Sequence, residues 1–404
     1  MERRARLGVF AYFGFCGLVL GVWAAGLPAL DERLHLGTGR TGTVLLLVAV
    51  GVLVSMQVAG RLSDHFSSRR LCQVSGPLGA LLLLGPALSE SYGVLLVTAF
   101  VFGAGFGLLE IGMNAHAVEV EAVYERPIMS AFHGMWSLGG AAGGLATAAA
   151  LKAGFGVQAL LITTAVVGAV LLVTPAPLLL RERAVPAAVE VDEGTGRRRG
   201  LARGALAMLG IVVFAAAISE GAAMDWAAMH ARRVLDAGPE MAPLAFTVYS
   251  VAMTTMRFAG DRLRGRLGAA RTLRMAGTVA ASGYALVLVA PAFGAAALAG
   301  AFAGWVLVGI GLATVVPIAF STVGAAEASA GRALALLTTF MYSGMLAGPA
   351  VIGHLADATS LRAALAVPVG LAIIVAMAGP GAISALTRHR WTPRPQPITT
   401  SSPS

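Results

Sequence analysis

Charged side chains are scarce in this sequence. Asp, Glu, Lys and Arg make up 12% of its 404 residues, against roughly 25% in a soluble domain. That shortage argues against a soluble globular enzyme. It also argues against a disordered chain, which combines low hydrophobicity with high charge. Cysteine occurs only as Cys16 and Cys72, too few for the disulfide framework of a small secreted domain. Lys152 is the single lysine. It sits in no phosphate-binding glycine loop, so the chain has no Walker lysine with which to drive work by ATP hydrolysis.

What is present is apolar. Hydrophobic residues make up 57% of the chain, and the mean hydropathy is +0.80. A membrane-spanning helix needs roughly 20 apolar residues. The sequence supplies twelve such runs, near 7–30, 42–60, 71–88, 93–118, 129–150 and 156–180, then 201–230, 242–260, 273–293, 295–323, 333–356 and 363–386. The ninth and tenth are the least clearly divided, because no charge punctuates the turn from Pro291 to Ala295. Arg3, Arg4 and Arg6 ahead of the first run imitate a secretion signal. The run is longer than a signal's apolar core, so it reads as an uncleaved first span.

The basic residues orient these spans, since cytoplasmic loops collect Lys and Arg. With an even span count, 22 of the 29 Lys and Arg lie in segments on the side of the N-terminus, six lie opposite, and Arg257 lies near the inner end of the eighth span. Both termini are therefore expected in the cytoplasm. The same asymmetry accounts for the net charge of +9 without invoking nucleic acid. One long connection, 181–203, holds Pro186, Gly194 and Gly196 among mixed charges and reads as a flexible linker. It separates a half at 1–180 from a second at 204–386. The tail at 387–404 is rich in Pro, Ser and Arg and is expected to be disordered.

The two halves look duplicated. Trp23-Ala24-Ala25 returns as Trp226-Ala227-Ala228. Gly60, at the end of span two, returns as Gly260 after span eight. Gly103-Ala104-Gly105 in span four pairs with Gly309-Ile310-Gly311 in span ten, and Trp136-Ser137 with Tyr342-Ser343. The matches keep their order at nearly constant offset. Parallel repeats of this kind suggest a central cavity between two rocking halves.

The loop after span two carries Gly60, Leu62, Asp64, Arg69 and Arg70. It resembles the cytoplasmic signature of the major facilitator superfamily, with Ser67 standing where glycine is usual and His65 where arginine is usual. A degenerate copy, Gly260-Asp261-Arg262, follows span eight. The resemblance implies an all-α membrane protein of twelve helices in two six-helix pseudo-symmetric halves. It also implies a conformational latch made by Gly60, Asp64, Arg69, Arg70, Gly260, Asp261 and Arg262. A carboxylate at a helix end can pair with a nearby arginine or with another helix's positive N-terminus in one rocking state and release it in the other.

Span four carries Glu110 and Asn114, four apart and so on one helix face. This pattern is similar to that of the fucose-permease-like branch of the superfamily, which implies proton-coupled sugar uptake through the glutamate. The sequence departs from that branch in having no acid between Phe10 and Ala25 in span one. Ionisable residues deep in a span are costly and mark functional sites. Glu110 reads either as a proton carrier or as a structural acid bonded to a neighbouring helix. Glu220 and Asp225 in span seven are five residues apart and face different ways; both are candidate proton-coupling acids.

Candidate solute contacts are Asn114, Trp23, His133, Trp136 and Trp226. Indoles can stack on a flat solute, and His133 can relay a proton. Trp226 is equally open to a lipid-facing reading, and His133 to one in which the ring is satisfied within the bundle. Arg257 and Asp261, four apart, are expected to pair at the inner surface. His116 and Glu119 have metal-ligand spacing, but no second such pair exists, so no metal is expected. Taken together, the sequence points to a secondary transporter of a small sugar-like or other polar or amphipathic solute. The proton gradient is its expected energy source, with no cofactor, and a monomer in the cytoplasmic membrane its expected form. A proton-antiport exporter is the alternative, and a membrane-embedded transferase the remote one.

Overall fold

The computed structural model of the chain describes residues 2–65, 67–124, 128–180, 198–326 and 330–388. Within these, the side chains at 2, 56–65, 130, 198–202, 261, 324–326, 330–332, 335 and 388 fall outside the description. The described chain is helical throughout. The first six spans are α1 (Glu2–Leu34), α2 (Gly37–His65), α3 (Ser68–Leu81) continued by α4 (Leu84–Leu88), α5 (Tyr92–Tyr124), α6 (Met129–Lys152) and α7 (Val157–Val173). The second six are α8 (Arg198–Arg233), α9 (Ala242–Leu267), α10 (Ala269–Val289), α11 (Ala297–Leu312) continued by α12 (Val315–Ala326), α13 (Ala330–Ala358), and α14 (Leu361–Ala364) continued by α15 (Ala366–Arg388).

Most spans are apolar enough to cross a bilayer on composition alone. Among the described residues nine helical segments are, one of them the 55-residue stretch Ala269–Val323. That stretch holds two crossings. A 3-10 turn over Ala290–Ala296, with Gly294 at φ 56° and ψ −123°, reverses the chain at the junction where the sequence has no charge. The remaining two spans, α6 and α9, are diluted by glycines and by Thr247, Thr254, Thr255 and Arg257. These are the helices that meet across the gap between the halves.

Helix pairing repeats in order. In the first half α1 packs on α6, α2 on α5 and α3 on α7. In the second, α8 packs on α13, α9 on α11 and α10 on α15. The turns after α1 and α8 repeat too: His35 and Asp236 each take a left-handed conformation, at φ 50° and 53°. Small residues set the spacing within each half. A Cβ at Gly17 or Gly139 would overlap the Trp136 or Gly14 carbonyl across the α1–α6 contact, so these backbones meet directly. Large apolar side chains such as Val97 (65% exposed), Val170 (61%) and Met377 (77%) are left bare on the outer faces. A lipid bilayer is the surrounding that covers them without cost.

The halves meet through α6–α9 and α2–α13, and through α1 against α8 and α9. At the end of the bundle that carries Asp31, α2 and α13 touch glycine to glycine. A Cβ at Gly42 would lie 2.8 Å from the Gly353 Cα. At the opposite end, from which the linker departs, no extended contact joins α5 to α12 or α13 among the described residues.

Candidate functional site

The space between the halves is lined by α1, α6, α8 and α9. Glu220 of α8 is held by Arg257 of α9, with Nη2 3.0 Å from Oε1. The other guanidinium nitrogen, Nη1, donates to Ser137 Oγ of α6 at 2.5 Å. One arginine thus joins an acid of the second half to a hydroxyl of the first. The pair is largely sequestered, with the two side chains 16% and 19% exposed. Beside it lies a cavity of about 10 Å³ bounded by Gly21, Trp136, Ser137, Glu220, Tyr249 and Met253, among others, room for about one water. The guanidinium reaches to neighbouring helices; the side chain of Asp261, the partner expected along its own helix, falls outside the description.

Glu110 differs from Glu220. Its carboxylate has neither ion pair nor hydrogen bond among the described residues. It lies within electrostatic reach of Cys16 on α1 and of Tyr342 on α13, and is partly exposed. Asn114, one turn on, donates from Nδ2 to the Glu110 carbonyl at 2.8 Å. Asp225 also has no ion pair or hydrogen bond among the described residues, and sits near Tyr249. His133 is exposed although it lies on a helix at the middle of the bundle. Its ring meets Phe13 edge-on at 5.3 Å.

Two of the expected solute contacts are buried in this conformation. Trp226 is 0% exposed and Trp23 4%. Trp23 packs on Phe102 at 5.5 Å. Neither is a wall of open space here; the repeated Trp-Ala-Ala is packing, with alanines that admit a close neighbour helix. Trp136 does line the cavity.

Of the expected latch, Gly60 and Asp64 ride the last turns of α2, with side chains outside the description. Arg69 and Arg70 open α3, and Ser67 caps it by accepting from the Arg70 N–H at 3.3 Å. Serine in place of the usual glycine thus has a local use. Gly260 is a packing glycine: a Cβ there would fall 2.7 Å from Thr314 Cγ2. Arg262 is exposed. His116 is tied down by hydrogen bonds. Its Nε2 accepts from the Leu180 N–H at 3.1 Å, which leaves Nδ1 to donate to Ser68 Oγ at 2.8 Å. Ser68 then donates to Glu119 Oε2 at 2.8 Å.

The Asp31 end contributes residues that lie just beyond the apolar runs at 7–30 and 201–230. Asp31, 2% exposed, accepts from Arg233 Nε and Nη2 at 2.7 and 2.5 Å and from the Gly37 N–H at 2.9 Å. Glu32 accepts from Arg232 Nε at 2.5 Å. Two consecutive acids of α1 therefore grip two consecutive arginines of α8 across the halves. Arg257 carried a usable signal, being an arginine inside a span. Asp31 and Arg233 carried a weaker one, opposite charges at equivalent ends of repeated spans.

Paired half-bundles around an internal polar site, with one end shut, define a membrane transporter, and the comparisons with known proteins agree. The family model described as Major Facilitator Superfamily matches residues 8–326, and the chain belongs to that superfamily. It is 32% identical over 377 residues to the uncharacterized transporter y4wD of Sinorhizobium fredii, covering 92% of this chain and 97% of that one. It is 29% identical over 370 residues to the membrane protein MosC of Rhizobium meliloti, covering 90% and 86%. Among solved structures it resembles the nucleoside transporter NupG, with TM-score 0.67, 13% identity and coverage of 96% and 100%. It also resembles a bacterial homolog of the human lysosomal transporter Spinster in an inward-facing, unoccupied conformation, with TM-score 0.69, 13% identity and coverage of 97% and 99%.

Proposed function

We propose that this chain is a proton-coupled secondary transporter of a small polar, sugar-like solute, working by alternating access between domains at 1–180 and 204–386. The reading places it in the cytoplasmic membrane as a monomer, with both termini, the 181–203 linker and the 387–404 tail in the cytoplasm, as the arginine asymmetry favours. On that orientation the Asp31 end is external and the conformation is inward-facing. Supporting a sugar-like solute are the Glu110–Asn114 pattern of the fucose-permease-like branch and a short likeness, 23% identity over 133 residues, to a protein named D-xylose transporter from Levilactobacillus brevis.

The observation that carries coupling is the contrast between the acids. Glu220 has Arg257 as a built-in counter-charge, whereas Glu110 has no cation paired with it among the described residues. An ionised Glu110 would be left uncompensated when the halves close around it, whereas a protonated one would not. Proton uptake at Glu110 therefore licenses the rocking step, with Asp225 a further span acid unpaired among the described residues. Solute contacts fall to Asn114, His133 and Trp136, and the Gly60–Arg70 loop with Gly260–Arg262 acts as the latch.

Proteoliposomes test this directly. Glu110→Gln should abolish accumulation driven by a pH gradient while solute–solute exchange persists, because glutamine keeps the size and hydrogen-bonding ability of the protonated acid. Gradient-driven accumulation in that variant would remove Glu110 from the coupling role and shift it to Asp225 or Glu220.

A further inference from the structure

The face of α9 turned away from Arg257 carries a groove that is not part of the solute site. A groove of about 470 Å³ runs between α9 and α11, lined by Thr247, Val251, Thr255, Ala259, Val306 and Ile310 with three further apolar side chains. Its two threonines bond back to their own helix, Thr247 to the Pro243 carbonyl at 3.1 Å and Thr255 to the Val251 carbonyl at 2.9 Å. Both hydroxyls are thereby satisfied. From Thr247 to Ala259 the groove extends about 18 Å at helical rise, close to the roughly 15 Å depth of one leaflet's hydrocarbon.

The groove faces away from the solute site. Val251, Thr255, Ala259, Arg262 and Arg266 follow one another at spacings of four, four, three and four, which keeps them on one helical face. Tyr249, Met253 and Arg257 occupy the opposite face. The apolar stripe thus ends, at the linker end, in two arginines. Arg262 and Arg266 are both exposed, and neither makes an ion pair or a side-chain hydrogen bond among the described residues. Apolar wall at acyl depth followed by paired guanidinium groups at headgroup depth is the order of parts in a phospholipid with a net negative head. Guanidinium binds phosphate through parallel N–H donors, and its stem lies along apolar surface.

We propose that this seam is a binding site for an anionic phospholipid, one acyl chain lying along Val251–Ala259 and Val306–Ile310 and the phosphate received by Arg262 and Arg266. A zwitterionic lipid satisfies the groove but brings its own cation to the arginines, so the site discriminates by head charge. The groove belongs to the half that carries Arg257, so lipid held there stiffens α9 against α11.

Native mass spectrometry of the delipidated full chain, titrated with dioleoyl phosphatidylglycerol or dioleoyl phosphatidylcholine, tests it. The expected result is one tightly retained phosphatidylglycerol and no equally tight phosphatidylcholine. Arg262→Ala with Arg266→Ala should weaken that binding roughly 30-fold. Val251→Trp, which fills the groove and leaves both arginines, should also displace the lipid, and glycerol phosphate without acyl chains should not compete. Thermal melting of each variant in the same detergent checks that it is folded. Equal retention of the two lipids, unchanged binding in the double arginine variant, or unchanged binding in Val251→Trp would each overturn the site.

Discussion

The two ends of the bundle are held by different chemistry. At the Asp31 end the halves are locked by a buried carboxylate taking two guanidinium N–H groups and a backbone N–H. A second ion pair stands beside it, with a glycine-on-glycine crossing behind. At the linker end the polar contacts among the described residues stay within one half: His116, Ser68, Glu119 and the Leu180 N–H form a closed set on the first-half side, while His133 is exposed. One end is fastened across the halves and the other within a half. A rocking protein needs a cross-half fastening that can be undone, and hydrogen-bonded charge pairs let go when solvent replaces each partner. Apolar contact over the same area has no such substitute.

The largest effect should come from the crossing, because backbone cannot move aside. Gly42→Leu places a side chain against the Gly353 backbone, where even a Cβ would lie 2.8 Å from the Cα. Overpacking of this kind costs about 1–3 kcal/mol or more. The variant should lose transport and rest open at the Asp31 end. Spin-label distances between positions 38 and 357 should lengthen; an unchanged distance would mean that the crossing is not what sets closure.

Asp31→Asn comes next. It strips the charge from a group 2% exposed while leaving Arg233, 38% exposed, able to reach water. Breaking a fully buried pair costs about 3–5 kcal/mol, and this half-exposed one should cost less, about 1–3 kcal/mol. The expected outcome is a population shifted toward opening at the Asp31 end, read by the same spin labels. Arg233→Asp combined with Asp31→Arg should recover part of the closed population. Failure of the exchange to recover any would show that Asp31 acts through the Gly37 N–H and the turn, not through Arg233.

Much of this was legible in the sequence. The twelve runs and the duplication needed only hydropathy and spacing, since a bilayer imposes span length. The Trp-Ala-Ala repeat was legible as a repeat but not as packing, because a buried indole and a cavity indole have the same neighbours in sequence. Arg257 was visible as a span arginine, but its contact with Glu220, 37 residues away on another helix, was not, because the i, i+4 rule reaches only along one helix. Asp31 and Arg233 are 202 residues apart. Charges at span ends look like loop charges until the halves are brought together.

Asp64→Asn addresses the other end. If the signature loop fastens the linker end in the alternate state, loss of its carboxylate should lower turnover several-fold with expression and solute affinity kept. A population can shift only by the differential interaction removed, and a single solvent-reachable pair is worth about 0–1 kcal/mol. Transport by Asp64→Asn at the wild-type rate would leave the loop as a topology signal alone.

The smallest effect separates the two neighbours on α1. Glu32 pairs with Arg232 at the same kind of distance as Asp31 with Arg233, but Glu32 is 47% exposed where Asp31 is 2%. Arg232 also has other acceptors within reach, Asp236 Oδ1 at 3.3 Å and the Ala237 carbonyl at 3.2 Å, so losing Glu32 does not strand it. Exposed pairs are worth about 0–1 kcal/mol and weaken with salt. Glu32→Gln should therefore move the spin-label populations only slightly, and raising salt should shift wild type toward the variant. An effect as large as that of Asp31→Asn would show that proximity across the halves, and not burial, decides which charges hold this end shut.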